Sequence, residues 1–165
     1  MPSLRCTADI NGTRETIFDL IADLAHYDRW LPGSRVFGGM TQISPVSPGV
    51  GTTYADGTMR GSITEFNPPE RITFEQSMPV KALLLTGKLD VRVRYALEAT
   101  GSDGQPTRVI REVTCNLHGI LGAAQPLVVS TIRRESGRLL EMMKRYVERK
   151  PSQMMLDSPV QYPSE

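Results

Sequence analysis

Apolar and polar residues alternate along several stretches of the chain, and this alternation predicts most of its secondary structure. Residues 3–10 alternate with a period of two, which is typical of a strand with one buried face. Two longer stretches, 86–99 and 107–118, show the same period and are joined by the turn sequence Ser102-Asp103-Gly104. Shorter strands separated by Gly and Pro turns complete the set. The predicted strands are 3–10, 36–44, 51–54, 59–66, 71–78, 86–99 and 107–118.

Two other stretches have helical spacing. Residues 14–25 place apolar side chains on one face after Thr13, a residue type that caps helix N-termini. A further short turn at 27–31 ends at Pro32-Gly33. After Gly119 and Gly122 the period becomes helical again and continues to about Arg149. Pro126 is compatible with this helix only in its first turn.

The parity of the long strands assigns side chains to the two faces of the sheet. Tyr95 falls on the apolar face, whereas Arg92 and Arg94 fall on the polar face, where we expect them to be solvated. Arg111 is the exception, because the alternation places this cation on the apolar face. An inward arginine either binds a carboxylate or carbonyl group of a ligand or pairs with an acidic side chain near a rim.

The order of elements predicts an α+β fold. A curved antiparallel sheet of six to seven strands must wrap around the long C-terminal helix to bury its apolar stripe, with two short helices after the first strand. Such a sheet rarely fills the space it encloses, so a cavity is expected between the sheet and the helix. We expect one domain at 1–150 and a loose C-terminal tail at 151–165.

Composition excludes several classes of protein. The chain has 165 residues, 18.3 kDa and a net charge of +1, so it lacks the strong positive charge typical of nucleic-acid-binding proteins. Two Cys and two His are too few for a zinc cluster of ordinary spacing. The chain has no apolar run of about 20 residues and no secretion signal, which predicts a cytoplasmic protein with reduced thiols. No cofactor or metal is expected.

Three segments resemble the helix-grip fold of the START-like (SRPBCC) superfamily, in particular its polyketide cyclase/dehydrase and lipid-transport branch. The first contains the sequence ETIFDLIADLAHYDRWLPG, and the second is GVGTTYADGTMRGSITEFNPPERITF. The third is the glycine-led helix at 119–148. The resemblance covers about 1–150 and implies the fold. It leaves the activity open, because the family includes cyclases, dehydratases, lipid carriers and hormone receptors. It also implies that the first and last strands are neighbours, which would bring Cys6 close to Cys115.

These observations predict that the chain binds a small hydrophobic molecule that is lipid-like or polyketide-like. Transport of that molecule is one use that such binding would serve. Met40, Met59, Met78, Met142 and Met143 would make the walls adaptable. Trp30 either stacks on a flat ligand near the entrance or anchors the short helix in the core, and the second is the commoner role. The residues expected to line the cavity are Trp30, Tyr54, Phe74, Val91, Val93, Tyr95, Val113, Val128 and Ile132.

Two other functions remain open. One is a cofactor-free polyketide aromatase/cyclase or dehydratase acting in the same cavity, with Tyr95 and Arg111 as its catalytic residues. The other is a protein-interaction module that uses the polar sheet face or the basic side of the C-terminal helix. Membrane contact through that basic side is compatible with the sequence but not required by it, because Glu141 and Arg145 can pair within the helix. The sequence does not specify the oligomeric state.

Overall fold

The computed structural model describes residues 1–34, 38–45 and 47–149. Within them, six strands form one antiparallel sheet in the order β1-β6-β5-β4-β3-β2. The strands are β1 (Ser3–Ile10), β2 (Thr53–Asp56), β3 (Met59–Asn67), β4 (Arg71–Ala82), β5 (Leu85–Ala99) and β6 (Thr107–Gly119). The helices are α1 (Arg14–Ala22), a 3₁₀-helix at Leu24–Arg29, a second 3₁₀-helix at Ile120–Ala124, and α2 (Gln125–Val147).

Helix α1 begins where the sequence predicts. The Thr13 side chain accepts a hydrogen bond from the Thr16 backbone N–H at 3.2 Å, which satisfies one of the free donors of the first turn. Its apolar face carries Ile17 and Phe18, both buried. The helix ends earlier than predicted because Asp23 leaves the helical region, and the chain continues as the first 3₁₀-helix.

Helix α2 lies on the inner face of the sheet and packs against β1. Pro126 occupies its first turn, as expected. The buried residues of α2 are Ser136, Leu139, Leu140 and Met143, with Met143 fully inaccessible. A curved sheet wrapped around a long C-terminal helix, with short helices after the first strand, confirms the predicted helix-grip fold.

The prediction of a strand at 36–44 is wrong for residues 38–44, which are the part of this segment that the structure describes. Residues 38–45 form only an isolated bridge, in which Thr41 pairs with Ala55. Gly39 and Gln42 both have positive φ angles, of 125° and 48°, and these interrupt an extended chain. The described sheet therefore has six strands. The predicted tail at 151–165 lies outside the described residues.

Strand β4 is longer than predicted, because Pro79 does not end it. Pro79 pairs with Lys88 of β5, and the ladder continues to Ala82 opposite Leu85. The β3 ladder stops at Ser77, so this part of β4 has no neighbour on that side. Proline is tolerated at such an edge because one side of the strand needs no N–H donor. The result is a hairpin that extends beyond the body of the sheet.

The two cysteines are free, and their strands are neighbours as expected. The expected closeness of the thiols is wrong, however. Cys6 is opposite Arg111 in the β1–β6 ladder, so Cys115 lies four positions further along β6. Four strand residues span about 13 Å. The register therefore separates the two thiols.

Gly61 is opposite Tyr54 in the β2–β3 ladder, and a substitution at this glycine tests how tightly the Tyr54 ring packs on the sheet. A Cβ atom at residue 61 would overlap the Cζ atom of Tyr54, so the ring would have to move. We expect Gly61→Ala to lower the free energy of unfolding by about 1–3 kcal/mol in urea titrations. Gly137→Ala is the matched control, since nothing lies within 4 Å of its Cβ and alanine favours helix. It should raise stability by about 0.5–1 kcal/mol, and equal effects of the two substitutions would contradict the packing argument.

Candidate functional site

Two neighbouring cavities lie between the inner face of the sheet and α2. The larger has a volume of about 120 Å³ and the smaller about 70 Å³. Met59, Gln76, Arg111 and Leu139 line both of them, so the two spaces share a wall. The larger cavity is also lined by Leu31, Ser77, Met78, Leu89, Val91, Val113, Ile132, Glu135 and Ser136.

The smaller cavity is an aromatic chamber. Phe74 stands edge-on to Tyr54 and to Tyr95, with ring centroids 6.0 Å and 6.2 Å apart. Such T-shaped contacts are the favoured geometry of aromatic pairs. The cross-strand register produces the second pair. Phe74 is opposite Val93, and Tyr95 lies two residues further along β5 on the same inner face. The remaining lining residues are Tyr27, Met40 and Val93.

Arg111 brings a positive charge to this apolar wall. Its position opposite Tyr95 in the β5–β6 ladder lets Nε donate to the Tyr95 hydroxyl at 2.9 Å. One terminal nitrogen, Nη1, donates to Ser136 Oγ on α2 at 2.6 Å. Among the described residues, no carboxylate oxygen forms an ion pair with this guanidinium, and Nη2 has no hydrogen-bond partner. The predicted pairing with an acidic rim residue is therefore absent from this part of the chain.

Tyr54, Gln76 and Tyr95 supply further hydrogen-bond donors to the cavity wall. Tyr54 donates its hydroxyl proton to Gln76 Oε1 at 2.9 Å, and burial, with a smaller contribution from nearby Tyr95, raises the pKa of Tyr54 above its usual value. This phenol therefore stays protonated at neutral pH. The Gln76 Nε2 amide and the proton of the Tyr95 hydroxyl have no acceptor among the described residues. The site thus offers N–H and O–H groups to whatever occupies it.

Glu135 forms the acidic corner of the larger cavity. Its Oε1 accepts hydrogen bonds from Ser34 Oγ at 2.9 Å and from Arg138 Nε at 3.1 Å, and Arg138 also donates to the Pro32 carbonyl. These bonds tie the segment after the first 3₁₀-helix to α2. Burial raises the pKa of Glu135, but the hydrogen bonds from Arg138 and Ser34, with the charges of Arg138 and Arg111, outweigh it, so the pKa is lowered.

This lowered pKa predicts an acid-sensitive contribution to stability. As the pH falls, the unfolded chain binds the Glu135 proton first, at a pKa of about 4.3, and the folded protein binds it at a lower pH. The stabilisation is therefore complete above about pH 5 and is lost as the pH falls through the folded pKa. In urea titrations, Glu135→Gln should destabilise the protein more at pH 7 than at pH 3. A difference from wild type that does not change with pH would contradict this assignment.

The structure brings most of the predicted site residues together. Tyr54, Phe74, Val93 and Tyr95 line the smaller cavity, Val91, Val113 and Ile132 line the larger, and Arg111 lines both. Met40, Met59 and Met78 line these walls, whereas Met143 is in the fully buried core.

Trp30 and Val128 line neither cavity. The Trp30 ring is 4% exposed and packs on Tyr27 at 5.0 Å, which is the anchoring role. Val128 packs instead against a second apolar cluster that contains Leu117 and Leu121.

Three polar residues of the site do not stand out in the sequence. Gln76, Glu135 and Ser136 reach the cavity from β4 and α2, and none belongs to a motif. For Ser136, helical spacing was a usable signal, since it lies one turn before Leu140 and three residues before Leu139 on the buried side of α2. Gln76 has the parity of Phe74 on β4, so alternation also places it inward.

The outer face of the sheet is covered by ion pairs. Arg92 lies near Glu75, and Arg94 lies between Glu65 and Glu112, so these arginines are solvated as predicted. An open groove of about 670 Å³ crosses this face among polar side chains. Its lining includes the charged residues Arg60, Glu75, Asp90 and Arg92, and the groove is open to solvent, so it encloses an apolar molecule less well than the two cavities do.

Neither histidine reaches the cavities. His26 Nδ1 lies 2.8 Å from Asp23, and His118 Nε2 lies 2.9 Å from Asp90 on the outer face. Among the described residues there is no cluster of three or more His, Cys, Asp or Glu side chains that could hold a metal ion. In the same residues, no helix combines the length and apolar character needed to cross a membrane.

Several solved structures share this fold. The di-domain ARO/CYC BexL from the BE-7585A biosynthetic pathway superposes with a TM-score of 0.65 at 20% identity, over 91% of this chain and 51% of that one. DynU16, from the dynemicin biosynthetic locus, gives 0.60 at 17% identity, over 91% and 49%. A START superfamily protein from Mycobacterium smegmatis gives 0.62 at 13% identity, over 88% and 97%. The chain thus spans about half the length of BexL and DynU16.

Identities this low show a common fold but carry no information about activity. No curated protein matches the sequence significantly. The sequence profile described as polyketide cyclase / dehydrase and lipid transport, however, matches residues 1–148, which contain all six described strands and both α-helices. The chain therefore belongs to the polyketide cyclase/dehydrase and lipid-transport family.

Proposed function

We propose that the protein binds a small hydrophobic molecule whose polar end carries a carboxylate or ketone oxygen. The observation that carries this proposal is a set of hydrogen-bond donors on the cavity wall that have no acceptor, beside the carboxylate of Glu135, whose Oε1 is bound by Arg138 and Ser34. Arg111 Nη2, Gln76 Nε2 and the Tyr95 hydroxyl proton have no acceptor among the described residues. Arg111 and Gln76 are half-buried, so their free N–H groups are accessible from the cavity, and a ligand that supplies oxygen acceptors would pair with them.

The remaining walls support an apolar or aromatic body for this ligand. Phe74, Val93 and Val113 offer apolar surface, and Tyr54 and Tyr95 offer ring edges and faces. The larger cavity is about 120 Å³, which is comparable to an engineered cavity of about 150 Å³ that holds benzene. Met40, Met59 and Met78 have flexible side chains whose rotation would admit a larger polyketide-like or lipid-like molecule.

Fluorescence titration with naphthoate and its neutral amide tests the proposal. The two probes share one aromatic body and differ in the charge of the polar end. We expect naphthoate to bind at least about tenfold more tightly, since hydrogen bonds to charged groups contribute about 1.5–3 kcal/mol. Equal affinities would contradict a carboxylate and leave a neutral ketone oxygen as the polar end, and binding of neither probe would contradict the proposal. Native mass spectrometry of protein purified from its own host, followed by extraction, would then identify the natural ligand.

A second candidate function is a cofactor-free cyclase or dehydratase reaction in the same cavity. The observation that favours it is the Arg111–Tyr95 hydrogen bond, in which the phenol oxygen accepts and keeps its own proton for donation. That proton can be directed to a ketone oxygen, which makes the carbonyl carbon more electrophilic toward an enol carbon of the same poly-ketone chain. The cavity would hold the chain in one curl, as proximity catalysis requires.

Turnover of a poly-ketone substrate separates this candidate from simple binding. Under the catalytic hypothesis, Tyr95→Phe removes the donated proton and should lower kcat by about 10²–10⁴-fold. The same substitution should leave the affinity for naphthoate within about fivefold of wild type, because Arg111 remains. Unchanged turnover in both Tyr95→Phe and Arg111→Leu would contradict the enzyme hypothesis and leave ligand binding in place.

A further inference from the structure

The hairpin between β4 and β5 presents three consecutive leucines at its tip. Leu83 and Leu84 are fully exposed, at 103% and 99%, and Leu85 is 39% exposed. Leu83 also has a φ angle of 55°, a region that leucine rarely occupies. These side chains add almost nothing to the folded core, because they contact water rather than protein.

Two further exposed apolar residues occur at the same end of the sheet. Ile120 is 74% exposed and follows Gly119, which is opposite Gly87 in the β5–β6 ladder. Leu127 is 71% exposed in the first turn of α2, close in sequence to the second 3₁₀-helix that packs on β5. We call Leu83, Leu84, Leu85, Ile120 and Leu127 the apolar tip.

Positive charges predominate around the apolar tip, and the nearest acidic residue of the hairpin is Asp90. The segment at 79–89 contains Lys81 and Lys88 and no Asp or Glu. The segment at 117–134 also lacks Asp and Glu and ends with Arg133 and Arg134, both exposed. Among the described residues, Lys81 has no ion-pair partner, whereas Lys88 pairs with Asp90. An apolar projection with a cationic base is complementary to an anionic lipid surface.

We propose that the apolar tip is a membrane-docking site, which inserts its leucines among lipids while Lys81, which has no ion-pair partner among the described residues, contacts anionic headgroups. A second copy of the chain fits this surface less well. A symmetric contact through the tip would bring the lysines of one copy toward those of the other, which is electrostatically unfavourable. A projecting two-strand hairpin also offers little flat area for a stable protein interface.

The docked orientation would place one wall of the ligand cavity about 13–17 Å from the inserted leucines. Met78 and Leu89, which line the larger cavity, are opposite each other on β4 and β5. The same two strands continue from this pair to the leucines, about 13–17 Å further along. Membrane docking does not depend on the proposed ligand, because the tip residues lie outside both cavities.

Vesicle co-sedimentation tests the docking site directly. The probes are vesicles of phosphatidylcholine alone and of phosphatidylcholine with about one quarter phosphatidylglycerol. We expect the wild-type protein to bind the anionic vesicles more tightly, and to release them as salt rises from about 0.1 M to 1 M. The double variant Leu83→Asn/Leu84→Ser should lose at least about tenfold in affinity, and Lys81→Glu about fivefold.

Val50→Ser is the matched control, because Val50 is a 70% exposed apolar residue outside the tip, next to the start of β2. It should bind vesicles as the wild type does, and all variants should unfold at the same temperature as the wild type. Wild-type protein that stays in the supernatant with both vesicles would overturn the proposal. So would a double variant that still sediments, or a wild-type dimer that this variant converts to a monomer without any vesicle binding.

Discussion

Replacing Arg111 with leucine is expected to lower the affinity for naphthoate by about 10–100-fold, and to change the affinity for the neutral amide by less than about threefold. The guanidinium is the cation that lines both cavities, and its Nη2 group has no acceptor among the described residues. Losing charged hydrogen bonds of this kind costs about 1.5–3 kcal/mol. Fluorescence titration of both probes measures the difference.

Arg108→Leu is the matched control for this substitution. Arg108 belongs to the same strand, β6, but lies on the outer face, where it pairs with Asp9 at 2.9 Å. Removing this exposed pair should leave both affinities unchanged. If Arg111→Leu weakens the two probes equally, the arginine supports the shape of the cavity and does not recognise an anion.

Replacing Phe18 with alanine should lower the free energy of unfolding by about 3–5 kcal/mol. Phe18 is 1% exposed and its ring meets Phe66 edge-on at 5.3 Å, so alanine leaves a void that the surrounding helix and sheet cannot fill. Urea titration measures the loss. Because Phe18 lines neither of the two cavities, the fraction that remains folded should bind naphthoate with wild-type affinity.

Glu15→Ala provides the comparison on the same helix. Glu15 is exposed in the first turn of α1, so its removal should change stability by less than about 1 kcal/mol. A loss after Phe18→Ala as small as this would show that α1 contributes little to the core. A loss of naphthoate affinity in folded Phe18→Ala protein would show that α1 shapes the cavity at a distance.

The inner face of the sheet illustrates how far alternation alone can predict a site. Strand parity places Val91, Val93, Tyr95, Arg111 and Val113 on one face, and each of them lines a cavity. The prediction works because successive side chains of a strand point to opposite faces whatever the neighbouring strands are. The same rule correctly assigns Arg92 and Arg94 to the solvated face, where both form ion pairs.

Strand parity does not predict contacts between segments that are far apart in the chain. Ser136 lies 25 residues after Arg111, and its hydroxyl meets the guanidinium only because α2 crosses the inner face of the sheet. Glu135 and Ser34 are 101 residues apart and meet for the same reason. For Trp30 the sequence allows either a cavity entrance or a core anchor, and only its burial and its packing on Tyr27 distinguish the two.

The β4–β5 hairpin shows the same limit in backbone structure. The sequence predicts a turn at Pro79, because proline lacks an N–H donor. In the sheet this part of β4 has a free edge, so the ladder continues to Ala82 and carries three leucines away from the core. Whether proline ends a strand depends on which neighbours that strand has, and neighbours are a property of the sheet.

By itself, then, the sequence determined the order of the six described strands and the α-helices, and the face on which the residues of the long strands lie. These follow from local periodicity and from the need to bury one face of each element, whereas the helix-grip class was implied by the resemblance to the START-like superfamily. Only the tertiary structure decided which polar groups meet Arg111 and which donors remain unpaired. It also decided how much space remains between the sheet and α2, and which apolar side chains are left in water. Such properties depend on distances between segments far apart in the chain, which no local pattern encodes.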